Sequence, residues 1–195
     1  MIQCHEIVLN IKDELLLKCD LSFKRGFVYV LKGENGSGKT SFLRALKGLF
    51  KYEGHFEING TVIYQPQHFH LFQKHAKDNF FPDLKRANRF INYFGIEDLL
   101  DKSVNVLSGG ERQKIALIRS VIQEYDVLLL DEPCSQMDQK SMEMTHALLF
   151  ELAQMENKCI LLVSHQIDES LNQAISLEIK AKQLIAPSTN HSAYR

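Results

Sequence analysis

Gly33-Glu34-Asn35-Gly36-Ser37-Gly38-Lys39-Thr40 stands between the apolar run Phe27-Val28-Tyr29-Val30-Leu31 and a stretch in which Phe42, Leu43, Ala45, Leu46 and Leu49 recur at helical spacing. Strand, glycine loop, helix is the context that turns this spacing into a phosphate site. Gly33, Gly36 and Gly38 let successive backbone N–H groups approach and wrap an anion, and the helix that follows adds the positive end of its dipole. Lys39 brings a mobile positive charge to the β- and γ-phosphates of a nucleotide, and the Thr40 hydroxyl is a ligand for Mg²⁺. Glu34, Asn35, Ser37 and Ser41 fill out the loop and the first helical turn, so they belong to the same expected binding surface.

Two further stretches carry chemistry. Asp131 and Glu132 end the apolar run Val127-Leu128-Leu129-Leu130, which puts two carboxylates at the carboxyl edge of a buried strand, where ligands of open α/β sheets sit. Leu107-Ser108-Gly109-Gly110-Glu111-Arg112-Gln113 precedes apolar positions Ile115, Ala116, Ile118 and Ile122. Ser108 at a helix start, followed by glycines, makes a second anion-binding terminus.

This last stretch resembles the signature sequence of ATP-binding-cassette (ABC) ATPases, and the motifs from Phe27 to His165 follow the same family. The resemblance implies an α/β fold, a P-loop NTPase with an ABC ATPase-type core. Its central sheet would be mainly parallel, with antiparallel strands at the N-terminus and a small helical subdomain at about residues 68–106. Val127 to Glu132, followed by Pro133, resembles the Walker B motif. Asp131 would then hold Mg²⁺, and Glu132 would orient and polarise the attacking water. Gln67, in Tyr64-Gln65-Pro66-Gln67, resembles the glutamine that reaches Mg²⁺ or the water, with Gln65 as its rival. His165, in Leu162-Val163-Ser164-His165, resembles the switch histidine on the γ-phosphate. Ser135-Gln136-Met137-Asp138 falls where the family shows S-A-L-D, and keeps Ser135 and Asp138. In the family, a head-to-tail homodimer or heterodimer sandwiches each ATP between the glycine loop of one copy and the signature of the other, here Ser108, Gly109 and Gly110. A separate integral membrane subunit would be the driven partner. The chain's length and its close also resemble, loosely, the haem-exporter ATPase of cytochrome c maturation.

The whole-chain properties agree. A chain of 195 residues reads as one domain, long enough to bury roughly 70% of its unfolded surface without a disulfide or metal. A net charge of −1 gives no electrostatic case for nucleic acid. Cys4, Cys19, Cys134 and Cys159 form no C-x-x-C pair and read as thiols of a reducing compartment, Cys134 included. No apolar run approaches the roughly 20 residues of a membrane span, and the start lacks a secretory pattern. The expected location is therefore cytoplasmic and peripheral, reaching the membrane through a partner without inserting. His68, His70 and His75 lack the companions of a metal site. The neighbouring Phe69, Leu71 and Phe72 read equally as core of the helical subdomain or as docking surface for the membrane partner. No aromatic residue stands in Ile11-Lys12-Asp13 to stack on a base, so ATP is expected and GTP stays open. The rival class is a soluble mechanochemical ABC ATPase of protein or cofactor assembly. A small-molecule kinase would share the glycine loop but not the signature.

Among the remaining elements, residues 55–65 read as a hairpin around Asn59-Gly60 and residues 75–106 as mostly helical. Strands are expected at Val8 to Ile11, Leu15 to Leu17 and Cys159 to Val163, and a helix over residues 139–156. Edge strands are expected at Ile175 to Ile179 and Gln183 to Ile185, and a frayed tail over residues 187–195.

Overall fold

The computed structural model describes residues 1–72, 74–164 and 169–186. Strands β1 (Ile2–Ile11), β2 (Glu14–Cys19), β3 (Ser22–Phe23) and β4 (Phe27–Lys32) lead through the glycine loop into helix α1 (Lys39–Leu46). Strands β5 (Glu53–Ile58) and β6 (Val62–Gln65) follow, then helices α2 (Leu84–Phe94) and α3 (Gly109–Val121). The chain continues with β7 (Val127–Asp131), α4 (Gln139–Met155), β8 (Cys159–Val163), β9 (Ile175–Lys180) and β10 (Gln183–Ile185). All ten strands join one sheet in the order β3-β1-β2-β10-β9-β4-β8-β7-β6, with β5 on the other side of β1. The block β9-β4-β8-β7-β6 is parallel, whereas β1 pairs antiparallel with β2, β3 and β5.

Alternation along the central strands builds two cores, because successive side chains leave opposite faces of a sheet. Val28, Val30, Leu128, Leu130, Ile160 and Leu162 point to the face covered by α2, α3 and α4. Tyr29, Leu31, Leu129, Leu161 and Val163 point to the other face, with Phe42 and Leu43 of α1 and Leu9 and Leu17 of the N-terminal strands. β7 and β8 are buried along their whole length, which is why both read as unbroken apolar runs.

Two expectations are corrected. The segments around Asn59-Gly60 do not pair with each other: β5 joins β1 and β6 joins β7. The Asp126 carboxylate, accepting from Thr61 N at 2.8 Å, holds this corner and sends the chain from one part of the sheet to another. Residues 75–106 are mostly helical as expected, made of α2 and short 3₁₀ turns at Ala76–Phe80, Glu97–Leu99 and Val104–Val106. Gly95, left-handed at φ 60, stops α2. Finally, β9 and β10 are interior strands: β9 pairs with β4, and β10 joins β9 to β2, so the pair splices the parallel and antiparallel halves. Smaller differences are that β1 begins at Ile2 and that α1 ends before Leu49, which is 56% exposed.

Candidate nucleotide site

The glycine loop lies between two adjoining clefts. One, of about 780 Å³, is walled by the β1–β2 turn, the loop and the β9–β10 turn, including Lys12, Glu34, Asn35 and Ser37. The other, of about 550 Å³, gathers Gly38, Lys39, Thr40, Ser41, Gln67 and Glu132. Among the described residues neither wall holds an aromatic ring, and Ile11 and Leu16 line both.

Each side chain here is set by the end of an element. Gly38 caps α1 in the left-handed region with no side-chain cap, so the first N–H groups of the helix face the cleft unclaimed by their own sequence. Lys39 is 7% exposed, and its ammonium donates to the carbonyls of Gly33 at 2.8 Å and Glu34 at 2.9 Å. Burial lowers its pKa, while the Glu132 and Asp131 carboxylates act in the opposite direction. Thr40 Oγ1 donates to Asp131 Oδ1 at 3.1 Å, and Tyr64 donates its hydroxyl to Asp131 Oδ2 at 3.3 Å. Burial pushes the Asp131 carboxyl above its ordinary value, against the two hydroxyl donors. Burial and the neighbouring Asp131 push the Tyr64 phenol up in turn.

Glu132 leaves β7 with a left-handed backbone, φ 51, and its N–H donates to Val163 O at 3.0 Å. A non-glycine residue in that region is strained by about 1–3 kcal/mol, a cost found where a side chain must be aimed. Its carboxylate accepts from Gln67 Nε2 at 2.8 Å. Gln65, the rival, is buried and accepts from Ser120 Oγ at 3.2 Å, so it ties β6 to α3.

The residues present fit a Mg²⁺–nucleotide. Ser37 Oγ is buried in the loop and has no hydrogen-bond partner among the described residues. The buried Asp131 carboxylate and the Thr40 hydroxyl already meet, and Mg²⁺ binds through one or two such oxygens plus substrate phosphates. Among the described residues no cluster of three or more His, Cys, Asp and Glu side chains could cage a metal alone.

The signature lies elsewhere. Ser108 caps α3, accepting from Glu111 N at 3.2 Å, while the Glu111 carboxylate accepts from Ser108 N at 2.6 Å. This reciprocal capping holds Glu111 below the usual carboxylate range, the Ser108 backbone donor contributing most. Gly109 and Gly110 lie against Gln136: a Cβ at Gly109 would meet Gln136 Oε1 at 1.9 Å, and one at Gly110 would meet Gln136 O at 2.9 Å. Asp138 caps α4, accepting from Ser141 N at 2.7 Å. None of Ser108, Gly109, Gly110 and Asp138 lines the two clefts beside the loop. His165 lies outside the described residues.

Two further side chains brace this region, and nothing in the sequence marks them for that role. Gln113, 1% exposed, donates to Glu132 O at 3.4 Å and Ser135 Oγ at 2.8 Å and accepts from Gln136 N at 2.8 Å. It locks the turn after Glu132 onto α3. Tyr64 is the other, and only its place on a strand beside β7 gives it meaning. Phe72 is 62% exposed with the Arg119 guanidinium 4.8 Å over its ring, while Leu71 packs against the α-face core. Among the described residues no helix is long and apolar enough to cross a membrane.

Comparison with known proteins gives a consistent picture. A family model described as ABC transporter matches residues 16–135. The chain is 30% identical over 203 residues to the taurine import ATP-binding protein TauB of Ruegeria pomeroyi, covering 93% of this chain and 75% of that one. It is 30% identical to the thiamine import ATP-binding protein ThiQ of Haemophilus influenzae, covering 91% of this chain and 95% of that one. In fold it matches a dimeric, post-hydrolysis structure of the ATP-binding cassette MJ0796 bound to ADP and Pi, with TM-score 0.83 and 23% identity over 94% of this chain and 96% of that one.

Proposed function

The chain belongs to the ABC transporter family, and on that footing we propose that it is the ATP-hydrolysing subunit of a transporter whose membrane-spanning part is a separate polypeptide. The convergence of Lys39, Thr40, Gln67 and Glu132 on one cleft carries this reading. Relatives named as import ATP-binding proteins support it. The membrane partner would hold the chain on the cytoplasmic face. The import relatives favour this reading over the soluble-assembly alternative. The haem-exporter resemblance rests on chain length and the close of the sequence alone.

In the proposed reaction the loop N–H groups, Lys39 and the α1 terminus bind the phosphates. Thr40 and Asp131 would hold Mg²⁺, which when bound neutralises charge developing on the phosphate oxygens. Glu132 orients a water for in-line attack on the γ-phosphorus and takes its proton as the bond to the β–γ bridging oxygen breaks, leaving ADP and phosphate. Gln67 fixes the Glu132 carboxylate, and His165 would contact the γ-phosphate. Positioning and charge are most of what phosphoryl transfer needs. Ser108, Gly109, Gly110 and Asp138 would complete the site of a second copy, as homodimer or heterodimer. ATP is the proposed nucleotide, with GTP also admitted by a base cleft that has no ring to stack on.

The deciding experiment traps Glu132→Gln with ATP in the native host and identifies what co-purifies after detergent extraction. A stoichiometric polytopic membrane protein is expected. A soluble partner alone would overturn the transport reading.

A further inference from the structure

Helix α4 packs on the sheet face opposite α1, yet it buries a histidine whose two ring nitrogens both reach out of the helix. His146 is 0% exposed, on a helix whose Leu148, Leu149 and Leu152 belong to the α-face core. An imidazole in such surroundings costs free energy unless its nitrogens are paired. Nε2 lies 3.9 Å from Cys134 Sγ, and Nδ1 lies 2.5 Å from Ser170 Oγ. A neutral ring donates at one nitrogen and accepts at the other, and a thiol or a hydroxyl can take either part, so the ring bridges the two in both tautomers.

What it bridges matters more than that it is satisfied. Cys134 sits in the turn that carries Glu132: Ser135 N donates to Glu132 O at 3.4 Å, and Met137 N donates to Cys134 O at 3.0 Å. Ser170 sits in the 3₁₀ turn Glu169–Leu171, five residues beyond His165 along the chain, and Leu171 anchors that turn in the same core as α4. One buried ring therefore joins the segment after Glu132 to the 3₁₀ turn Glu169–Leu171. The groups that grip the phosphates, Lys39 and Thr40, stand on α1 across the sheet.

We propose that His146 is a positioning residue for ATP hydrolysis: through Cys134 it steadies the turn bearing Glu132, and through Ser170 it ties that turn to the 3₁₀ turn Glu169–Leu171. This rests on the role given above to Glu132. Because the link touches the hydrolytic side of the site and not the phosphate loop, its loss lowers kcat and leaves nucleotide affinity in place.

The test is steady-state ATPase kinetics of the full chain, with melting temperatures measured alongside. His146→Leu is expected to lower kcat about tenfold with KM within about twofold of the parent. His146→Gln, which keeps one donor and one acceptor, is expected to recover most of kcat. Ser170→Ala is expected to lower kcat by less, and to add nothing on top of His146→Leu. A folded His146→Leu protein with parental kcat, a loss confined to KM, or full additivity with Ser170→Ala would overturn the proposal. Should His146→Leu fail to fold, Ser170→Ala and Cys134→Ala decide it: parental kcat in both overturns the link, and a shared, non-additive loss supports it. Glu132→Gln is assayed in parallel. Parental turnover there defeats the proposed hydrolytic site itself, whereas an inactive Glu132→Gln beside a normal His146→Leu defeats the link alone.

Discussion

Thr40 Oγ1 donates to Asp131 Oδ1 over 3.1 Å, joining the first turn of α1 to the last residue of β7. The pair unites two stretches 91 residues apart, and both groups are proposed ligands of one Mg²⁺. Burial has raised the Asp131 carboxyl above its unfolded value, so its ionised form subtracts stability at every pH above that value. Asp131→Asn removes the charge and keeps an acceptor for Thr40. Without nucleotide at pH 7 it is expected to melt at or above the parent temperature, read by calorimetry. Its ATPase rate is expected to fall by about 10²–10³, the cost of one misassigned charge in such a site. A variant both less stable and still active would contradict the assignment.

The turn after Glu132 is held by Gln113, whose single buried amide serves Glu132 O, Ser135 Oγ and Gln136 N. Gln113→Leu leaves those groups without their partner in a dry place, at a cost of about 1–3 kcal/mol. It is expected to lower the urea midpoint accordingly, and to lower kcat because the Glu132 backbone loses its brace. Unchanged kcat in a folded variant would show that the strained backbone at Glu132 holds itself.

How much of this could be read beforehand follows from what kind of contact each part needs. The glycine loop, Asp131 and Glu132, and the Ser108 cap were legible because each is a local pattern whose meaning lies within a few residues. The Asn59-Gly60 corner misleads for the same reason. A turn dipeptide reports that the chain bends, while Asp126, 65 residues from Thr61, decides where it goes. Strands β9 and β10 looked like edges because short, half-polar runs do not reveal how many neighbours they have. Gln113 and Tyr64 were invisible as site residues, since their partners come from other elements. The Ser108…Glu111 reciprocal cap was open to detection: the S-x-x-E spacing is its signal.

Ser108 separates folding from assembly. Ser108→Ala removes the side-chain half of the cap on α3 and is expected to cost about 1 kcal/mol. Nucleotide-driven dimerisation should survive it, because Gly109, Gly110 and the helix terminus stay. Ser108→Arg adds bulk and charge at the surface proposed to meet the nucleotide of another copy. In the Glu132→Gln background with ATP, sedimentation is expected to show a dimer for Ser108→Ala and a monomer for Ser108→Arg. Both proteins should bind nucleotide equally in equilibrium titration. A dimer in both would place the contact away from the signature.

The corner at Asn59-Gly60 gives the pH prediction. The Asp126 carboxylate accepts from Thr61 N at 2.8 Å and pairs with the Arg25 guanidinium at 2.8 Å. The Thr61 hydrogen bond, then Arg25 and Lys158, hold its pKa below the ordinary carboxylate range despite burial. A depressed folded-state value means that the contribution is complete above the unfolded value of about 3.9 and fades as pH falls through the folded one. Asp126→Asn is therefore expected to cost about 1–2 kcal/mol at pH 7, and melting curves of parent and variant should converge as pH falls below the ordinary carboxylate range. Gly60→Ala attacks the same corner from the other side. At φ 121 a Cβ would stand 2.1 Å from Asp126 Oδ2, so the carboxylate must leave Thr61 or the backbone must bend. The expected loss is about 1–3 kcal/mol. If the carboxylate gives way, Gly60→Ala also loses the acid-sensitive part of its stability and adds little to Asp126→Asn. Additive losses would instead mean that the backbone yields, and that the corner is fixed by the strand pairing on either side of it rather than by Asp126.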